Sequence, residues 1–398
     1  MAASAARGPV CTGLDRVAAG DEAVLSQLRG RRVGLLAHAA SVDSRLCHAL
    51  QVLTDAGCAP AALFGPEHGF FGAAQDMIGV DGAADGAGVP VYSLYGDAAE
   101  DLSPRPEWLA DLDVLVVDLQ DVGSRYYTYV WTAVCALRVA AGCGVQTIVL
   151  DRPNPLGGEI VEGAIQRPGY RSFVGLCDVA VRHGMTLGEI CARIARLEGL
   201  APEALHVVEL QGWTRAMGFE RTGLPWVLPS PNMPTPDTAR IYPGGCLLEG
   251  TNLSEGRGHT RPFEIWGAPF VDGQALAREV SAPGVVLRPL QFTPTFHKHG
   301  GEMCGGVQVH VTDPSAVRSY DLYLRLIAAC YRAAPDRFAW RTEVYEFVSD
   351  RPAIDLLTGG PEFRQHVDAG DPLDAYLAEQ ERGARGFDTD RRDDLLYG

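Results

Sequence analysis

Short, uninterrupted apolar runs recur through the first 150 positions, with helix-length segments between them. Arg32–Ala37 (RVGLLA), Ala61–Phe64, Val89–Leu94 (VPVYSL), Val114–Leu119 (VLVVDL) and Thr147–Leu150 (TIVL) are such runs. Ser44–Ala56 and Thr128–Ala141 carry apolar residues at helical spacing. A strand buried on both faces shows no polar alternation, so the pattern predicts a parallel sheet covered by helices on each side. The expected fold class is α/β, a Rossmann-like doubly wound parallel sheet. In such sheets ligands bind beyond the carboxyl ends of the strands. Three of the runs lead straight into polar turns there: Gly65-Pro66-Glu67-His68-Gly69, Gln120 to Tyr127, and Asp151-Arg152-Pro153-Asn154-Pro155. These turns are expected to share one crevice. No GxGxxG follows the first run, so a dinucleotide is not supported.

Thr186–Glu198 reads as an amphipathic helix with Thr186 or Met185 near its cap. Pro225 to Pro243 holds four further prolines between its ends, which excludes helix and central strand and predicts a stiff extended segment. Gly244 to Gly267 continues it. Beyond, Val285–Leu290, Gln291–Pro294 and Gly306–Val311 look like β segments, Tyr320–Ala334 like a helix, and Asp371–Gly398 like a charged helix with a fraying end. The change of pattern places a boundary near 240. Residues 1–240 are expected to form the sheet domain with the Glu67 loop, and 241–398 a smaller α+β domain closing the cleft.

Charge narrows the partners. With 34 basic and 50 acidic residues the chain carries −16, a field that repels nucleic acid and anionic lipid. Every basic residue except Lys298 is arginine, read as a coding bias with little bearing on function. No run approaches the roughly 18 apolar residues of a membrane span. Met1–Asp21 lacks the basic-then-apolar order of a secretory signal. Ten cysteines include no CxxC pair, so buried free thiols and a reducing cytoplasm are expected. No Cys/His spacing fits zinc, and neither metal nor cofactor is expected.

Chemistry concentrates in three places. Glu67 and His68 sit on a turn made rigid by Pro66 and permissive by its glycines, which suits a general acid or base. Alternatively, Glu67 caps the next segment and His68 bonds a neighbouring loop. Asp118, Gln120, Asp121, Ser124, Arg125, Tyr126, Tyr127 and Tyr129 form a second cluster. Arg125 offers a fork for a carboxylate, and the tyrosines offer stacking faces. The alternative is an ion pair with tyrosines packed as core. The third cluster, Glu249 to Glu264, brings Glu249, Asn252, Glu255, Arg257, Arg261 and Glu264 into one loop-like run, of the kind that lines sites or is simply solvated. His183, His297 and His299 are isolated. GxSxG, Walker A and HExxH are absent, which leaves carboxylate acid/base work on a sugar as compatible chemistry.

The motifs GPEHGF (Gly65–Phe70), VPVYSLYG (Val89–Gly96), DLQDVGSRYYTY (Asp118–Tyr129), LDRPNPLGG (Leu150–Gly158), VRHGMTLGE (Val181–Glu189), LPWVLPSPNMPT (Leu224–Thr235), LEGTNLSEGRG (Leu248–Gly258) and RPFEIWGAP (Arg261–Pro269) together resemble the DUF1343 family of NamZ-type exo-β-N-acetylmuramidases. The resemblance runs from about Arg31 to Asp313. It implies a Rossmann-like domain, a smaller second domain, a cleft between them, and release of terminal N-acetylmuramic acid (MurNAc) from the non-reducing end of peptidoglycan fragments such as MurNAc-GlcNAc. It makes Glu67 the proposed catalytic carboxylate and places Arg125, Tyr126 and the Glu249–Arg257 loop in the cleft. His259 stands where the family usually has a small hydroxyl residue. On this reading Glu67 protonates the glycosidic oxygen beside His68. Glu255, Glu249, Glu264 or the substrate's own acetamido group supplies the second function. Arg125, Arg257 and Arg261 are candidates for the lactyl carboxylate, with Tyr129, Asn232 and Asn252 as further substrate contacts. The alternatives are a non-catalytic muropeptide or sugar-acid binder and a hydrolase of another β-glycoside.

Overall fold

The computed structural model describes residues 10–71, 83–84 and 88–398. Among these residues seven strands form the main sheet: β1 (Val33–Ala37), β2 (Ala62–Gly65), β3 (Ala83–Ala84), β4 (Pro90–Ser93), β5 (Val114–Asp118), β6 (Gln146–Leu150) and β7 (Leu205–Val208). Their order is β3-β4-β2-β1-β5-β6-β7. All neighbours are parallel except β3 and β4. Leu35 stands opposite Leu63 on one side and Val116 on the other. Leu36, Phe64, Leu115, Val117 and Val149 enter the core on one face, and Val33, Leu35, Leu63, Val116 and Ile148 enter the core on the other. That two-sided burial is why the runs contain no polar alternation. The α/β expectation holds.

Some local expectations need correction. The helix after β1 begins at Ala49, because Asp43 binds the amides of Arg45 and Cys47 and holds the intervening residues in a turn. The His48 ring then accepts from the Leu50 amide as the cap. The proline-rich segment is not extended throughout: Pro236–Gly245 is helical. Pro236 occupies the first helical position, where its missing N–H costs nothing, and Thr235 caps that end. Pro243 is carried inside the helix, whose last turns are buried. Gly244 lets the helix close on the Ser319 carbonyl, where any side chain would clash. Nor is the following run plain loop. A tight 3-10 turn spans Cys246–Gly250, and Ile265–Ala268 (β8) pairs with β10 (Cys304–Val311), which pairs with β9 (Val285–Phe292) in a three-stranded antiparallel sheet. One continuous apolar core runs from the main sheet through Trp266, Tyr323, Leu326 and Phe363.

The end of the chain does not fray. Past helix Asp374–Asp390, the Tyr397 hydroxyl donates to Asp151 Oδ2 (2.6 Å) and accepts from the Leu210 amide (3.1 Å). The Leu396 amide donates to Glu189 (2.8 Å). Burial pushes the Asp151 carboxyl up to about 6, against the donations of Tyr397, Thr186 and the Gly188 amide. A raised folded-state value means that the Asp151 charge costs stability as pH climbs from the ordinary carboxylate range through about 6, and Tyr397 reduces that cost. Tyr397→Phe is therefore expected to lower unfolding free energy by about 1.5–3 kcal/mol at pH 7.5 and by clearly less at pH 5, measured by denaturant titration. Equal losses at both pH values would count against this account.

Candidate active site

Strand β2 ends at Gly65, which has no side chain because the Phe70 backbone lies against it. Pro66 then turns the chain, and the Gly69 amide closes the turn on the Pro66 carbonyl (2.9 Å). His68 sits in the left-handed region (φ 70°), a costly conformation for a non-glycine residue and one concentrated at functional sites. The turn delivers Glu67 and His68 to the carboxyl edge of the sheet, both buried.

Helix α1 (Tyr129–Gly142) begins beside them. Thr128 at its start makes no capping bond to its own helix. Its hydroxyl donates instead to Glu67 Oε2 (2.7 Å). The neighbouring Tyr129 hydroxyl lies 2.8 Å from the Pro229 carbonyl and 3.2 Å from that of Glu67. One residue fixes the carboxylate and the next fixes its backbone.

The opposite wall comes from the C-terminal half. The 3-10 turn presents Glu249, whose Oε1 accepts from Arg257 Nη2 (2.7 Å) and whose Oε2 accepts from the Tyr345 hydroxyl (2.8 Å). Glu346 follows at φ 45° and accepts from the Tyr95 hydroxyl (3.3 Å). Tyr127, Tyr242 and Phe263 form an aromatic wall, with ring centres 6.0 and 5.0 Å apart along it. These groups, Tyr95 apart, line a small cavity of about 40 Å³ together with Glu67, His68, Thr128, Tyr126, Ser230, Asn232 and Met233.

Seven of the sequence candidates therefore meet there: Glu67, His68, Tyr126, Tyr127, Asn232, Glu249 and Arg257. Others are placed elsewhere. Arg125 was expected to hold a substrate carboxylate. Its guanidinium is fully buried and donates to the carbonyls of Ala164 (2.9 Å), Val179 (3.2 Å) and Leu357 (2.7 Å). Glu255 does not line the cavity; it is held between Arg257 Nε (2.9 Å) and Lys298 Nζ (3.0 Å). Burial alone would push its carboxyl up, but the Lys298 and Arg257 charges outweigh that and hold it at about 2. Asn252 joins its loop to Arg337 and Ala339 through hydrogen bonds to their main chain. Glu264 accepts from Thr238 (2.6 Å), with Arg261 3.4 Å away. Tyr129 supports the Glu67 turn from behind.

Sequence reasoning missed Thr128, Ser230, Tyr242, Tyr345 and Glu346. Thr128 lay inside a motif already singled out, one residue past the tyrosine pair. Glu346 sits in VYEFVS, which has no glycine, proline or charge cluster to mark it. Among the described residues, no group of three His, Cys, Asp or Glu side chains could hold a metal ion.

Comparison with known proteins identifies the family. Residues 33–237 match the family model for the N-terminal part of exo-beta-N-acetylmuramidase NamZ, and residues 240–397 match that for its C-terminal part. The chain belongs to the NamZ family. It is 41% identical over 379 residues to the peptidoglycan beta-N-acetylmuramidase NamZ of Bacillus subtilis, covering 93% of this chain and 88% of that one. Two DUF1343 family proteins of Bacteroides fragilis share the fold. One has a TM-score of 0.85 at 32% identity, covering 98% of this chain and all of the other. The second has a TM-score of 0.74 at 27% identity, covering 98% and 99%.

Within the NamZ fold Arg125 thus joins separate backbone segments. Arg125→Met, which leaves three buried carbonyls without donors, is expected to lower unfolding free energy by at least about 2 kcal/mol. A denaturant midpoint unchanged from the parent would contradict that role. Glu255 adds an acid-sensitive contribution. Its depressed value means stability present above the ordinary glutamate range and lost as pH falls from about 4.5 towards 2. Glu255→Gln should flatten that part of the stability–pH curve; an unchanged slope would remove Glu255 from it.

Proposed function

We propose that this chain is an exo-acting glycoside hydrolase that releases terminal β-1,4-linked MurNAc from the non-reducing end of peptidoglycan fragments, with Glu67 as the proton donor. The observation that carries the reading is a buried carboxyl group, oriented by Thr128 at 2.7 Å, on the wall of a small cavity in a NamZ family chain. The rings of Tyr127, Tyr242 and Phe263 offer faces for the apolar side of the pyranose. Asn232 and Ser230 offer amide and hydroxyl groups to its acetamido and hydroxyl substituents.

Glu67 protonates the glycosidic oxygen as the bond to C1 breaks. The positive charge that develops on the sugar meets Glu249 and Glu346, which also line the cavity. Either can stabilise the oxocarbenium ion or direct water. Glu249 is the better placed for a fixed electrostatic role, because Arg257 and Tyr345 hold both its oxygens. His68 and Tyr126 complete the wall. Arg257 is the lining guanidinium, and its bonds to Glu249 and Glu255 leave recognition of the sugar to shape and neutral hydrogen bonds as much as to charge.

The substrate is a small peptidoglycan fragment. All ten cysteines are free thiols, which fits a reducing cytoplasm and turnover of internalised wall fragments. No helix among the described residues is long and apolar enough to cross a membrane.

Incubation with MurNAc-GlcNAc is expected to yield free MurNAc. Glu67→Gln should cut that rate at least about 10²-fold, the usual scale for a general acid. Binding without release by the parent protein would favour a sugar-acid binding protein. Near-parental release by a folded Glu67→Gln would take Glu67 out of the mechanism.

A further inference from the structure

The single lysine of this chain sits where its charge reaches the cavity indirectly. Lys298 lies between β9 and β10, and its ammonium donates to the carbonyls of Leu248 (2.8 Å) and Leu253 (3.2 Å) and to Glu255 Oε2 (3.0 Å). Three acceptors converge on three protons. An ammonium meets that arrangement, whereas a planar guanidinium does not. Every other basic residue is arginine, so the exception falls at the position whose geometry calls for lysine.

The backbone is also distorted to bring it there. His297 and His299 flank Lys298, and both occupy the left-handed region, at φ 61° and 56°. Such conformations persist only where surrounding contacts enforce them. The His299 ring is anchored 2.8 Å from the Asn252 carbonyl. This short segment therefore clamps the 248–257 loop at several points.

From Lys298 the charges alternate toward the cavity. Glu255 lies between Lys298 (3.0 Å) and Arg257 (2.9 Å), and Arg257 reaches Glu249 (2.7 Å). Glu255 shares its charge between Lys298 and Arg257, and Arg257 bonds both Glu255 and Glu249. Without the ammonium, Glu255 would draw the guanidinium toward itself, and Glu249 would lose part of its partner. We propose that Lys298 is a positioning residue that sets where the Glu249 carboxylate stands in the cavity, acting through Glu255 and Arg257. This rests on the cavity being the site of glycoside cleavage.

The test uses Lys298→Met, Glu255→Gln and the double variant, with kcat and KM on MurNAc-GlcNAc and the thermal unfolding midpoint of each. Lys298→Met should lower kcat at least about tenfold with KM changed by less than about threefold, the size expected of coupled neighbours. The double variant, which has no bare Glu255 to pull on Arg257, should recover to within about threefold of Glu255→Gln alone. A purely structural role would lower the unfolding midpoint and leave the double variant no more active than Lys298→Met. That result, or parental kcat in Lys298→Met, overturns the proposal. Should Lys298→Met not fold, the double variant against Glu255→Gln decides it: similar kcat upholds the proposal and a further large drop overturns it. If the parent protein itself releases no MurNAc, the functional reading fails separately. Unfolding midpoints of a Lys298→Met and Glu249→Gln cycle then decide the positioning role, with coupling upholding it and additivity overturning it.

Discussion

The hydrogen bond from Thr128 to Glu67 is the contact on which the site turns. It joins the turn after β2 to the start of α1, two segments that approach because β2 and β5 flank β1 in the sheet. A buried carboxylate needs donors, and a helix start supplies a hydroxyl at little cost to the helix. Thr128 gives up its own capping role to do this. The sheet order thus fixes the Glu67 side chain in direction as well as in place.

The other half of the cavity follows a different rule. Glu249, Arg257, Glu255 and Lys298 are alternating charges in a buried run, and each would be costly without its neighbours. A net charge of −16 makes such local compensation necessary wherever carboxylates are buried together. The arrangement holds carboxylates ready at the cavity and spends most of the nearby positive charge on keeping them in place. On the proposed function, recognition of an acidic sugar falls to the aromatic wall and neutral groups more than the arginine count would indicate.

The sheet was legible because burial on both faces removes polar residues from a strand altogether. β7 was missed because Leu205–Val208 lies at the sheet edge and is half-buried, so its residues carry no such mark. The helix at Pro236 was misread because proline is disruptive inside a helix yet welcome at its first position. In the site, Glu67 stood out through the glycines and proline around it, while Glu346 had no local mark and depends on contacts from distant segments. Arg125 shows the limit most clearly. A guanidinium fork aimed at a ligand and one aimed at three backbone carbonyls look alike until the chain is folded. Lys298 shows the converse: a residue set aside as coding bias holds the loop that carries Glu249.

The central claim is that Glu67 gives its proton to the departing oxygen. It is tested most directly by leaving-group dependence, comparing the parent and Glu67→Gln on MurNAc-GlcNAc and on an aryl MurNAc glycoside whose leaving group needs no proton. The account predicts a large loss on the disaccharide and a far smaller one on the activated glycoside, because only the first requires the acid. Equal losses on both substrates would show that Glu67 does something other than protonate the leaving group.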